Sequence, residues 1–382
     1  MEAAALPRLP KFARDYLFNG ISNGVSLQKN REALNSVELM PRYLSEANKP
    51  DIRCNLLGHD YNAPFGVAPI GLAGLVWPKA EIILSKAAKS HNIPYTLSTV
   101  ATVSLEDIRG IAGENSWFQL YTPQDPEVRK DILRRCKEAG YDTLIVTVDV
   151  PYKTRRDHDI RNGLSVPPRF DLKTVWQIFT HPNWALRMLR AGIPRFVNLA
   201  PYHNKNDKER NAARAIKQSV KFIEERMGLH IDRRVFEEIR EDWPGKLVVK
   251  GVLHPEESKT YLDLGADALI VSNHGGRQLD AAPTAVSVLP QIREAVGPNA
   301  TLIADGGIRS GLDIARMIAL GANFVLLGRP FMFAIAALDH RGGEHVMNIL
   351  KAELQSTMGQ IGCATVEELP QFLVSDSLVE KS

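Results

Sequence analysis

The chain has 382 residues, 44% of them apolar and 24% charged, which is the composition of a globular protein rather than a disordered, collagen-like or disulfide-stapled one. Its 47 Lys and Arg against 44 Asp and Glu leave a net charge of +3, so there is no general case for a nucleic-acid partner. Three cysteines, Cys54, Cys136 and Cys363, are widely spaced and form no C-x-x-C pair; they predict a reducing compartment, no disulfide framework and no structural metal site.

Met1 to Pro10 holds a short apolar stretch without the basic region and long hydrophobic run of an export signal. No apolar run approaches the ~18 residues a membrane helix needs. A cytoplasmic location is expected, with peripheral contact at the inner membrane left open. Residues 1–60 are read as an N-terminal helical segment. Strands are predicted at Phe65–Pro69, Tyr95–Ser98, Trp117–Tyr121, Thr143–Asp149, Leu247–Lys250, Ala268–Ser272, Leu302–Asp305 and Phe324–Gly328. Several are near-continuous Val, Ile and Leu, as strands buried on both faces should be. Helical patterns lie between them. One spans Pro126–Ala139, with Val128, Ile132 and Cys136 on one face and Gly140 as its stop; another runs through Val288, Leu289, Ile292 and Val296 before Gly297. Eight strands, each followed by a helix, predict an α/β fold of the closed (β/α)8 TIM-barrel type, with residues 1–382 as one domain. An open doubly wound sheet is the alternative.

The connection after the fourth strand is far longer than a βα loop and helix require. From Val150 to His230 it contains 16 Lys and Arg against 7 Asp and Glu, so this stretch is strongly basic while the rest of the chain is net acidic. We place an insertion at about 157–230. Its Val175, Trp176, Ile178, Phe179, Trp184, Leu186, Met188 and Leu189 suit either a lid or subunit contact, or a surface that meets anionic lipid. Trp176, Phe179 and Trp184 are the candidate membrane anchors.

In a barrel, function collects at the C-terminal ends of the strands. Here those ends read Pro69-Ile70-Gly71, Ser98-Thr99, Gln119 and Tyr121, Thr147 and Asp149, Lys250, Ser272-Asn273-His274, Asp305-Gly306-Gly307 and Gly328-Arg329. Packing alone does not explain one polar group per strand. The glycines after strands seven and eight, with Arg309 and Arg329, suit a phosphate held by backbone N–H groups. His274 followed by Arg277 places a base beside a cation, and Arg156 is a second candidate cation. Two arginines and a histidine suit a substrate with a carboxylate and a nearby acidic proton. Asp149 is placed to hold a protonated His274 and raise its basicity.

The run Ser-Asn-His-Gly-Gly-Arg-Gln at 272–278 resembles the active-site signature of the FMN-dependent α-hydroxy acid dehydrogenases and oxidases. The resemblance spans nearly the whole chain, from Leu9-Pro10-Lys11 to Ile361-Gly362-Cys363. It implies FMN as cofactor and oxidation of a small-molecule L-2-hydroxy acid, lactate- or mandelate-like. His274 would be the base, Asp149 its carboxylate partner and Tyr121 the tyrosine near the substrate hydroxyl. Tyr16, Arg156 and Arg277 would bind the substrate carboxylate, and Val100, a small residue, would line the side-chain pocket. Pro69, Ile70 and Gly71 would face flavin N5. Ser98, Gln119, Thr147 and Ser272 would contact the flavin, and Lys250 would set positive charge beside flavin N1 and O2. Asp305, Gly307, Arg309, Gly328 and Arg329 would form the phosphate end. Gly71 is similar to the glycine of family dehydrogenases that react slowly with oxygen, where oxidases tend to carry alanine. An acceptor other than oxygen, such as a quinone, is therefore expected, with a peroxide-forming oxidase as the alternative. His181-Pro182-Asn183-Trp184 and Trp243-Pro244-Gly245-Lys246-Leu247 look most like the membrane-associated mandelate and lactate dehydrogenases. A homotetramer is the expected assembly.

Overall fold

Eight parallel strands close into a barrel in the computed structural model, which describes residues 1–44, 49–152, 154, 172–192, 194–203, 227 and 230–374. The strands are β1 (Phe65–Val67), β2 (Tyr95–Ser98), β3 (Ser116–Leu120), β4 (Thr143–Thr147), β5 (Lys246–Val252), β6 (Ala268–Val271), β7 (Thr301–Asp305) and β8 (Phe324–Leu327). Closure is made by β8 against β1, with Val325 opposite Phe65. Each expected strand is present, and no end differs by more than two residues. The trimmed residues, such as Pro69, Tyr121 and Asp149, lie just past the ladder, where the chain turns into the βα loops.

Local chemistry explains the helices. The Pro126–Ala139 helix starts where Asp125 accepts the Glu127 N–H at 3.0 Å and ends at Gly140, whose φ of +89° suits glycine. Its buried stripe, including Ile132, Leu133 and Cys136, packs inward. Thr284 caps Ala285–Val296 in the same way.

The N-terminal segment is helical as far as Asn35, through Lys11–Phe18 and Val25–Asn35. Cys54–Leu56 and His59–Tyr61 then form a tight antiparallel hairpin. The two-residue turn uses Leu57 and Gly58, both at positive φ, as the twist of such a hairpin requires. Leu56 and Tyr61 pack with Trp117, Ala268 and Phe324, which sit near the N-terminal ends of their strands. That end of the barrel is thus an apolar plug.

The described part of the insertion contains helices Leu172–Phe179 and Pro182–Ala191. Trp184 is buried: its ring meets Phe12 edge-on at 5.5 Å and its Nε1 donates to the Val76 carbonyl at 3.0 Å. It is therefore a tether to the barrel, and the expectation that it anchors to a membrane is corrected. Trp176 and Phe179 differ: they stack on each other at 6.0 Å and are 65% and 73% exposed. Among the described residues, no helix is long and apolar enough to cross a membrane.

Candidate active site

The C-terminal mouth of the barrel is polar. On its β2–β4 side, Ser98 Oγ donates to Gln119 Oε1 at 2.8 Å and Gln119 Nε2 donates to Thr147 Oγ1 at 2.9 Å. All three are buried, so the row is affordable only because each group satisfies the next. Val100 follows on the loop after β2, and its carbonyl accepts the Leu72 N–H. Pro69, Ile70 and Gly71 leave β1 half-buried, and the Gly71 carbonyl accepts the Tyr16 hydroxyl at 3.0 Å. A Cβ on Gly71 would lie 2.8 Å from Val100 Cγ2.

His274 is held from both ring edges. Its Nδ1 lies 2.9 and 3.0 Å from the two carboxylate oxygens of Asp149, and its Nε2 lies 3.4 Å from the Tyr121 hydroxyl. A carboxylate only accepts, so Nδ1 carries the proton and Nε2 presents its lone pair toward the mouth when the ring is neutral. Burial works to raise the Asp149 pKa, but the charges of His274 and Lys250 and the bond from His274 outweigh it and hold the carboxyl below the usual carboxylate range. Asp149 reaches the ring because β5 bulges at Lys250–Val252, where Gly251 turns at φ +104°. Any Cβ on Gly251 would collide with the Asp149 side chain.

Lys250 Nζ donates to Ser272 Oγ at 2.8 Å and pairs with Asp305 Oδ2 at 2.7 Å. Asp305 thus sits beside Lys250, and its charge also acts on Arg329. Its Oδ1 is a buried acceptor without a partner in the fold. Arg277 donates to the Tyr16 and Asn19 carbonyls at 2.7 and 3.3 Å and lies over the Tyr16 ring at 4.6 Å. Arg329 reaches the Leu17, Gly275 and Asn19 carbonyls. Arg309 lies 5.8 Å from the Phe333 ring. Burial, then repulsion from Arg31, pulls the Arg309 pKa down to about 10. Burial, then Arg277 and Arg309, pulls that of Arg329 well down. Arg31, Arg277, Arg309 and Arg329 thus gather at one end of the mouth. Gly307, at φ +80°, and Gly328 bring backbone to the same end. Arg156 lies outside the described residues.

Three contributions were not foreseen. Asn30 and Ser26, on helix Val25–Asn35, bond the side chain of Asn273. Glu81, wholly buried, accepts from Gly74 N, Thr102 N and Thr102 Oγ1 at 3.2, 3.0 and 2.9 Å, tying the loops after β1 and β2 together. Gly251 makes room for Asp149. Only Asn273 carried a local signal, because it lies inside the 272–278 run; the others are defined by partners distant in sequence. Among the described residues, no group of three or more His, Cys, Asp or Glu is placed to hold a metal ion.

Residues 5–376 match the family described as FMN-dependent dehydrogenase, so the protein is an FMN-binding oxidoreductase. The chain is 36% identical to an L-lactate dehydrogenase of Xanthobacter autotrophicus, over 99% of this chain and 95% of that one. It is also 36% identical to an L-lactate dehydrogenase of Pseudomonas syringae pv. syringae, over 96% and 95%. Its fold superposes on the crystal structure of the monotopic membrane protein (S)-mandelate dehydrogenase with a TM-score of 0.92, at 32% identity and covering 98% of each chain. A mandelate oxidase structure gives a TM-score of 0.80 at 32% identity, over 98% and 96%. The chain belongs to the FMN-dependent α-hydroxy acid dehydrogenase and oxidase family, and its reaction is the oxidation of an L-2-hydroxy acid to the 2-oxo acid. The mouth fits that cofactor. Arg309 and Arg329 suit the phosphate, and the orphaned Asp305 Oδ1 suits a hydroxyl of the sugar-alcohol chain.

Proposed function

We propose that the enzyme is a dehydrogenase of a lactate- or mandelate-like L-2-hydroxy acid, with residues 1–382 as one functional domain. The observation that carries the chemistry is the His274 ring, backed by Asp149 at 2.9 Å and open toward Tyr121. His274 Nε2 takes a proton from the substrate, and Asp149 stabilises the imidazolium that results. Tyr121 lies beside the same nitrogen and orients the substrate hydroxyl. Arg277 and Tyr16 hold the carboxylate, with Arg156 as a further cation, and Val100 borders the side-chain pocket. Bound FMN supplies the acceptor for the two electrons. Ser98, Gln119, Thr147, Ser272 and the Pro69–Gly71 backbone hold its ring system, while Asp305, Gly307, Arg309, Gly328 and Arg329 hold its chain and phosphate. Lys250 contributes positive charge where negative charge accumulates. The test is a visible spectrum: a yellow protein bleached without air by L-lactate or mandelate, in a panel with glycolate and longer acids. A protein that no 2-hydroxy acid bleaches overturns the reading.

Gly71 favours an acceptor other than oxygen, such as a quinone. The insertion supports a setting where such an acceptor dissolves. Val175, Trp176, Phe179, Leu186 and Leu189 are all exposed, and the (S)-mandelate dehydrogenase of similar fold is itself described as monotopic. Apolar residues beside basic ones suit an anionic membrane surface. Sedimentation with anionic vesicles at low and high salt tests this. Salt-sensitive pelleting that is lost in Trp176→Ser/Phe179→Ser supports it; no pelleting at any salt leaves the face as a contact in the proposed homotetramer.

A further inference from the structure

We infer that Asn30, on a helix outside the barrel, is a positioning residue that sets the aim of His274. This rests on the reading of His274 as the base. His274 stands at φ +57°, followed by Gly275 at +63° and Gly276 at +75°. Three successive left-handed residues are unusual, and the first carries a Cβ, so the turn persists only if its surroundings hold it.

The hold comes from two sides. Within the loop, His274 N–H donates to Ser272 Oγ at 2.9 Å and Gly276 N–H donates to the Asn273 carbonyl at 3.0 Å. From outside, Ile21 N–H donates to the Gly276 carbonyl at 2.9 Å. Gly276 is pressed onto helix Val25–Asn35 so closely that a Cβ would lie 2.6 Å from Leu27 N.

The residue before His274 is fixed most firmly. Asn30 Nδ2 donates to Asn273 Oδ1 at 2.9 Å, and Asn273 Nδ2 donates to Asn30 Oδ1 at 2.8 Å. Asn273 Nδ2 also reaches Ser26 Oγ and the Pro283 carbonyl, each at 3.1 Å. Ser26, Asn30 and Asn273 are at most 3% exposed. The Pro283 carbonyl can only accept, so it fixes which side of Asn273 carries Nδ2, and the reciprocal pair then fixes the amide of Asn30. Buried and satisfied, such a pair specifies geometry. The loop returns the favour: Asp280 accepts the Ser26 and Asn23 N–H groups at 2.9 and 3.1 Å and so caps the helix. Helix and loop therefore lock each other, and the Asn30–Asn273 pair sits next to the left-handed turn that points the imidazole at Asp149.

The test uses the FMN-loaded enzyme in four forms: wild type, Asn30→Ala, Asn30→Asp and Leu34→Ala. Leu34 is a buried apolar residue on the same helix and serves as the stability control. The readouts are the anaerobic rate of flavin reduction at saturating substrate, the isotope effect with substrate deuterated at C2, equilibrium binding of the 2-oxo acid, and Tm. Displacing a catalytic group by a fraction of an ångström slows reaction by roughly ten- to a hundredfold. Asn30→Ala is expected to slow reduction by about tenfold or more, with an isotope effect no smaller than wild type and 2-oxo acid binding little changed. Leu34→Ala is expected to lower Tm and leave the reduction rate alone. Asn30→Asp keeps an acceptor for Asn273 but loses the donor; it is expected to fall between, and it carries the test if Asn30→Ala does not fold. The inference is overturned if the Asn30 variants reduce at the wild-type rate, or if Leu34→Ala slows reduction equally for the same loss of Tm. His274→Ala separates the two levels. If it still reduces normally, the reading of the base is wrong; if it is inactive while the Asn30 variants are normal, only the present inference falls.

Discussion

The two sides of the barrel mouth solve the problem of buried polarity differently. From β2 to β4 the groups are neutral, and Ser98, Gln119 and Thr147 satisfy one another in a row. From β5 to β8 they are charged: Lys250 and Asp305 pair closely, while burial, then Arg277 and Arg309, pulls the Arg329 pKa down. The neutral side is complete within the protein. In the proposed reading the charged side meets the charge that cofactor and substrate bring, which is where ionic groups are worth keeping out of water. A row of neutral groups and a set of charged ones thus share one opening.

The sharpest division comes from His274→Ala. It should leave the protein yellow, since the flavin contacts are spread over many strand ends, yet slow reduction by substrate roughly 10² to 10⁴-fold. Stopped-flow reduction without air reads this, and a near-normal rate would move the base elsewhere. On the neutral side, Gln119→Leu should act on stability and FMN retention instead. It strips Ser98 of its acceptor and Thr147 of its donor, at a cost of about 2 kcal/mol, read as a lower Tm and weaker FMN binding. If that variant lost turnover with Tm unchanged, the contrast between the sides would fail.

Arg277→Lys should raise KM for the hydroxy acid about tenfold, because lysine lacks the planar fork that grips a carboxylate from two points. Unchanged KM and kcat would shift the carboxylate site toward Tyr16 and Arg156. The smallest effect is expected at Gly71→Ala. The new methyl must displace Val100, and reoxidation by oxygen should accelerate by a few-fold on the order expected of a second-sphere change. Pairing it with Val100→Ala, which relieves the contact, separates crowding from oxygen access. A wild-type enzyme that already reacts with oxygen as fast as with a dye would show it to be an oxidase.

Within the insertion, a single stretch of sequence divides the same way. Trp176, Phe179 and Trp184 look alike in the chain, yet the first two face outward and the third is sealed against Phe12 and the Val76 carbonyl. Amphipathic spacing says that a helix has an apolar face. It does not say which of two partners, the protein or something outside it, takes each residue.

The barrel was legible because parallel strands buried on both faces are short continuous runs of β-branched and aliphatic residues, each ended by a turn. The polar strand ends were legible because they interrupt those runs at the same place in seven of the eight strands. Sequence order therefore determined the fold class, the ring of candidate site residues and, through the 272–278 run, the chemistry. Tertiary structure alone decided the rest. Asn30 and Asn273 are 243 positions apart, and neither predicts the other, because a hydrogen bond between side chains depends on where a helix and a loop finally pack. The same holds for Asp305, which pairs with Lys250 from two strands away, and for Gly251, whose need for glycine appears only once Asp149 lies against it. Periodicity is written along the chain by the backbone's own repeat; contacts between distant segments are written only when the chain closes on itself.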